Sequence, residues 1–217
     1  MAVADAPIQV EVFVDLVCPW CYLGKRRLGA AIERFGGPVD VRYRAFQLQP
    51  GVPPEGMRSD EYFAQRFGSP ATVESMHARI RAEGEHDGIA FAFERMERFP
   101  NTYLAHRALA LAAEAGTQDA AAEALFSGYF EHGVDIGDLD AVMARLGQAR
   151  AWVDADELAA GGGAESVETD FATARDLSIN GVPFFIADRR FAISGALPPE
   201  HLAKLLTHAR DQRRPAA

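Results

Sequence analysis

Asp15-Leu16-Val17-Cys18-Pro19-Trp20-Cys21-Tyr22-Leu23-Gly24-Lys25-Arg26 holds both cysteines of this 217-residue chain, three positions apart. The alternating run Gln9-Val10-Glu11-Val12-Phe13-Val14 precedes it and reads as a strand; a helical pattern follows from Pro19 to about Phe35. A helix starting at Pro19 makes Cys18 its N-cap, because proline suits the first helical position, where its missing N–H costs nothing. The Cys18 sulfur then lies near unpaired N–H groups and the positive end of the helix dipole, which favour the nucleophilic thiolate. Cys21 lies one turn further in and can attack a mixed disulfide formed at Cys18. Lys25, Arg26 and Arg27 add positive charge, expected to be solvated and therefore weak in effect. A thiol–disulfide redox site accounts for this spacing. Three plainer readings compete: half of a zinc site, a static structural disulfide and a pair of inert buried cysteines. The chain has no second C-x-x-C or H-x-x-x-H to complete a zinc site, and a loop this short constrains little chain.

Working outward, Val39 to Phe46 reads as a second strand, and Pro50, Pro53 and Pro54 mark a long connection. From about Ser59 to Leu177 the pattern is helical. Asn101-Thr102-Tyr103 opens an amphipathic helix with Leu104, Ala108, Leu111 and Ala112 on one face. Helices over Asp119–Glu131 and Asp138–Leu146 follow, then a break at Gly161-Gly162-Gly163 and a helix over Ala164–Leu177. Pro183–Ala187 and Phe191–Ile193 read as short strands around the turn Asp188-Arg189-Arg190, and Pro199 starts a terminal helix. The charged stretch from Arg79 to His86 and the group Arg210, Arg213 and Arg214 read as solvated.

At 23.6 kDa and 48% hydrophobic residues, the chain is long enough for a well-buried core in one domain, or in one domain with a large insertion. A net charge of −9 disfavours nucleic acid, and no apolar run reaches membrane-spanning length. The opening Met1-Ala2-Val3-Ala4-Asp5-Ala6-Pro7 lacks the basic and apolar regions of a secretory signal. A cytoplasmic location is the expectation, a compartment where a C-x-x-C pair is catalytic rather than a permanent cross-link.

Four stretches together resemble the DsbA-like thioredoxin-fold oxidoreductases of the FrnE type, which are related to 2-hydroxychromene-2-carboxylate isomerase and kappa-class glutathione transferase. They are Asp15 to Arg26, Phe46-Gln47-Leu48-Gln49-Pro50, Asn101-Thr102 through Ala105-His106-Arg107, and Gly181-Val182-Pro183-Phe184-Phe185. The resemblance implies an α/β thioredoxin fold with a large all-helical insertion: residues 1–58 and 164–217 as the thioredoxin-like domain, residues 59–163 as the insert. It implies Cys18 and Cys21 as catalytic residues and a cis Val182–Pro183 bond facing them, with Val182 N–H and C=O free to pair with an extended substrate. Pro19, Trp20, Val182, Pro183 and Asn101 are the expected substrate-binding residues, and Asn101 also reads as a plain helix cap. His106 reads as a helix-face histidine, with contact to substrate or glutathione as the alternative.

The chain departs from these relatives in three places. A buried acid six positions before the first cysteine is replaced by Val12; Glu11 and Asp15 are nearby but differ from it in strand parity. Strong oxidants place a histidine where Trp20 stands. The isomerase and transferase relatives usually carry serine where this chain has Cys18, so the full pair favours redox chemistry. The expected activity is protein-disulfide exchange through Cys-Pro-Trp-Cys, with protein or small-molecule thiols and disulfides as partners. No metal or bound cofactor is expected, and glutathione is a possible redox partner. The alternatives are a glutathione-dependent isomerase or transferase and a thiol-dependent chaperone or binding module.

Overall fold

The computed structural model describes residues 6–213. A four-stranded sheet in the order β2-β1-β5-β6 forms its centre, built from β1 (Ile8–Val14), β2 (Val39–Ala45), β5 (Phe184–Ala187) and β6 (Phe191–Ser194). β1 runs parallel to β2, pairing Ile8 with Val39 and Val14 with Ala45, and antiparallel to β5, pairing Phe13 with Phe184. A parallel pair needs a crossover, and α1 (Pro19–Phe35) supplies it. It ends at Gly36 in the left-handed conformation that glycine takes without penalty.

Alternation along β1 separates two cores. Val10, Val12 and Val14 point into the main core with Phe185 and Ala187. Phe13 points the other way, to Ile186, Ala174 and Ile179. α1 packs against the terminal helix α9 (Pro199–Asp211), while α8 (Ala164–Asp176) covers the second face. β2 is a sheet edge, and unpaired edge groups invite association. Here the Gln118 amide closes it, donating to Tyr43 C=O at 2.9 Å and accepting from Tyr43 N–H at 3.0 Å. Asp170 accepts from Ala45 N–H at 2.9 Å.

Between β2 and α8 lie α2 (Ser59–Phe67), α3 (Pro70–His86), α4 (Tyr103–Glu114), α5 (Gln118–His132), α6 (Leu139–Gln148) and α7 (Ala155–Ala159). α5 is buried over most of its surface, with Ala121, Ala122, Leu125, Phe126, Tyr129 and Phe130 all inside. This is a mixed α/β thioredoxin fold with a helical insertion. The block is not wholly helical: β3 (Met57–Arg58) and β4 (Arg98–Phe99) form a two-residue ribbon, and a 3₁₀ turn spans Phe93–Arg95. Segments this short carry no readable period.

Three charge expectations change. Lys25 pairs with Asp119 at 3.0 Å and Glu123 at 3.2 Å. Arg26 pairs with Glu123 at 2.6 Å, and Arg27, buried, reaches Glu83 at 2.6 Å, Asp87 at 2.7 Å and Ala196 C=O at 2.6 Å. The basic run on α1 is therefore a clamp onto α3 and α5 rather than a solvated field, and Glu83 is part of it rather than of a free surface. Arg213 is also engaged, donating to Asp188 at 2.6 Å and to Pro7 C=O at 2.9 Å. Arg214 and residues 1–5 lie outside the described residues.

Candidate functional site

Cys18 caps α1 with extended backbone (φ −93°, ψ 111°), and Pro19 occupies the first turn. Cys18 N–H donates to Asp15 C=O at 3.0 Å and Cys21 N–H to Cys18 C=O at 2.9 Å, so the motif is wound into a tight turn entering the helix. The Cys18 side chain bonds no first-turn N–H; its thiol faces Val182 C=O at 3.8 Å. The Val182–Pro183 bond is cis, and Pro183 is buried against α1. Gly24 makes that approach possible: a Cβ there would stand 2.8 Å from Pro183 Cγ and 3.2 Å from Phe185 Cζ.

The two thiols differ in setting. Cys18 is 5% exposed, whereas Cys21 is fully enclosed. Burial pushes the Cys21 thiol well above the ordinary cysteine value, and the neighbouring Cys18 and the charge of Asp15 push the same way. Cys21 thus holds its proton, and Cys18, though also buried, is the one of the two that lines a cavity. Trp20 and Pro19 are half-buried beside the pair, with the Arg79 guanidinium 5.8 Å from the Trp20 ring centre.

Behind the cysteines lies an acid that strand parity passes over. Asp15 is 1% exposed; its Oδ2 accepts from Leu48 N–H at 2.7 Å and its Oδ1 lies 3.6 Å from His106 Nε2. His106 Nε2 is also 3.1 Å from Phe46 C=O, which places this histidine inside the protein, against the 46–48 loop. Asn101 serves the same loop. Its Oδ1 accepts from Gln47 Nε2 at 3.0 Å and from Tyr103 N–H at 2.9 Å, and its Nδ2 donates to Val52 C=O at 2.6 Å. Its polar groups are committed to the start of α4 and to the long connection, while the N-cap position itself falls on Thr102.

A cavity of about 240 Å³ opens next to Cys18, between α1 and the insertion. Tyr62, Phe63 and Phe67 come from α2, Met76, His77 and Ile80 from α3, Tyr129 and Phe130 from α5, with Trp20 and Leu48 also in the wall. These aromatics lie far apart in the sequence, and only the fold brings them to the cysteine. Among the described residues, no group of three His, Cys, Asp or Glu side chains is placed to hold a metal, and no helix is long and apolar enough to cross a membrane.

Comparison with known proteins identifies the family and the fold. The chain is similar to a probable DsbA oxidoreductase from Streptomyces coelicolor, SCO1869, with 30% identity, 97% of this chain and 93% of that one covered, and a TM-score of 0.83. It shares its fold with the cytosolic disulfide reductase DsbM of Pseudomonas aeruginosa, solved with GSH, at 20% identity, 93% and 99% coverage and a TM-score of 0.64. A curated relative is YwbO of Bacillus subtilis (strain 168), 25% identical over 141 residues; the match spans 65% of this chain and 65% of YwbO. The model of the DSBA-like thioredoxin domain matches residues 9–207. With that match covering nearly the whole chain, the protein belongs to the DSBA-like thioredoxin domain family.

Proposed function

We propose that this protein is a thiol–disulfide oxidoreductase working through Cys18 and Cys21. The observation that carries this reading is the pair itself: a thiol at the N-cap of α1 that lines a cavity and an enclosed thiol one turn later, with Val182 C=O against the first. Cys18 as thiolate attacks one sulfur of a substrate disulfide. The substrate S–S bond breaks, a Cys18–substrate bond forms and one substrate thiolate leaves. Cys21 then loses its proton and attacks Cys18, forming Cys18–Cys21 and releasing the second substrate thiolate. Two electrons pass from the dithiol to the substrate, and the reverse sequence oxidises a substrate dithiol. Extended protein segments pair with the Val182 backbone, and Pro19 and Trp20 meet the substrate. Glutathione or a protein dithiol resets the site; the family membership and the disulfide reductase fold shared with DsbM support that assignment.

The test is reduction of insulin and of glutathione disulfide by wild type, Cys18→Ser and Cys21→Ser. Cys18→Ser should be inactive on both, and Cys21→Ser should accumulate a mixed disulfide at Cys18, visible as an adduct mass after acid quench. Full activity in Cys18→Ser would refute the assignment. Glutathione-dependent isomerisation surviving in Cys18→Ser would support the isomerase alternative.

A further inference from the structure

The cavity beside Cys18 is a largely apolar, partly open recess with the Cys18 sulfur in its wall. Three titratable side chains of its wall are shifted toward the uncharged form. Burial, with Arg81 nearby, lowers the pKa of His77. Burial raises those of Tyr62 and Tyr129. The nearest cations are Arg79 over the Trp20 ring and Arg66 over the Phe67 ring, both on exposed residues, and Arg81 over the Phe93 ring, already paired with Glu74 and Glu94. Lys25, Arg26 and Arg27 are already paired to carboxylates. The interior therefore offers no partner for the carboxylates and ammonium of a glutathionyl group.

Size narrows the occupant. An apolar cavity of about 150 Å³ takes up benzene. About 240 Å³ has room for an aromatic ring with a sulfur-bearing arm. The wall also asks for one polar contact. Tyr129 and His77 both line the cavity, are 1% and 8% exposed, and carry a hydroxyl and an Nε2 with no hydrogen-bond partner in the protein. Unpaired buried groups of this kind favour a ligand that brings an uncharged acceptor or donor. The occupant is a small molecule rather than a protein side chain because the two faces of Cys18 are separate. Val182 and Pro183, where an extended chain pairs, do not line the cavity.

Resting on the oxidoreductase reading above, we propose that this cavity binds one half of a compact aromatic disulfide bearing a single uncharged polar group, and presents its sulfur to Cys18. Cys18 thiolate displaces one arylthiolate and keeps the other as a mixed disulfide inside the cavity. Cys21 then releases it, leaving two aryl thiols and an oxidised cysteine pair, which a thiol reductant such as glutathione restores.

Two measurements test this. The first compares kcat/KM for 4,4′-dithiodipyridine with that for glutathione disulfide in wild type, Met76→Trp and Ile80→Phe. Filling the cavity should lower the ratio of the two constants at least tenfold. The second is a fluorescence titration of Trp20 with the non-exchanging thioether 4-(methylthio)pyridine, in a Cys18→Ser/Cys21→Ser/Trp152→Phe protein. It should saturate, and the added Met76→Trp or Ile80→Phe, compared by calorimetry, should abolish binding. An unchanged ratio, or no binding of the thioether, overturns the proposal while leaving the redox reading intact. If filling depresses insulin reduction but not dithiodipyridine turnover, the cavity takes a protein side chain and the proposal fails. Wild type inert to both disulfides while the thioether still binds refutes the oxidoreductase reading and upholds the ligand class.

Discussion

Gly24→Ala tests whether the contact between α1 and Pro183 holds the site together. The new Cβ would stand 2.8 Å from Pro183 Cγ and 3.2 Å from Phe185 Cζ. Carbon atoms pack at about 3.5–4.0 Å, so helix and strand must separate by several tenths of an ångström. Overpacking of this kind costs about 1–3 kcal/mol. Alanine returns about 1 kcal/mol over glycine through helix propensity, leaving a net loss of about 0–2 kcal/mol. Gly29 on the same helix is exposed and has nothing within 4 Å of its would-be Cβ, so Gly29→Ala keeps only the gain. The two variants should therefore differ by about 1–3 kcal/mol. At roughly 2–4 °C per kcal/mol for a chain this size, Gly29→Ala should melt a few degrees above wild type and Gly24→Ala at or below it. Exchange activity should fall in Gly24→Ala alone, since only there does Val182 C=O move from Cys18. Thermal unfolding and insulin reduction read both effects. Equal stabilisation by the two alanines, with full activity in each, would refute the reasoning.

Two further outcomes follow from the charge placement. Arg27→Ala removes one partner of a buried ion pair, a change that costs about 3–5 kcal/mol, and Glu83 is partly exposed, so the lower end is expected; urea unfolding reads it, and a loss under 1 kcal/mol would show that the clamp is not structural. Cys21 holds its proton more tightly folded than unfolded, so its contribution to the stability of the reduced protein is complete below about pH 8.5 and is lost as pH rises from there through the raised folded value. Stability measured from pH 8 to 10 under reductant should fall in wild type and less steeply in Cys21→Ala; identical slopes would place the thiol in an ordinary environment.

What could be read from the sequence was what local chemistry encodes. Pro19 after Cys18 fixes a helix start, and alternation before it fixes a strand, so β1, the cysteine turn and α1 are legible within one continuous segment. The same holds for β5, β6 and the turn joining them. What stayed hidden depends on contacts distant in sequence. Arg27 lies 56 and 60 positions from its partners, and nothing local distinguishes it from a solvated arginine. Asp15 escaped for a different reason. Parity compares residues within a strand, and β1 ends at Val14, so Asp15 belongs to the turn, where the side chain is free to point inward. The cavity combines both limits. Its aromatics come from α1, α2, α3, α5, β4 and the segment between α3 and β4, and each alone looks like ordinary core.

These parts converge on α1. Its first turn carries the two cysteines, Gly24 receives Pro183 from the sheet, and Lys25, Arg26 and Arg27 fasten α3 and α5. Tyr22 adds to the fastening: its hydroxyl donates to Glu131 at 2.6 Å, and its ring stacks on Phe126 at 5.3 Å. The sheet side of the site and the cavity wall are thus both fixed to the helix that bears Cys18. If the insertion were loosely attached, cavity and cysteine would drift relative to one another, and an angstrom of drift is enough to spoil an in-line attack on sulfur. A charge run of three residues, reading in the sequence as surface, is what makes the insertion part of the site. Breaking it by Arg27→Ala should therefore weaken turnover of an aromatic disulfide more than it weakens exchange at the Val182 face, which rests on the sheet.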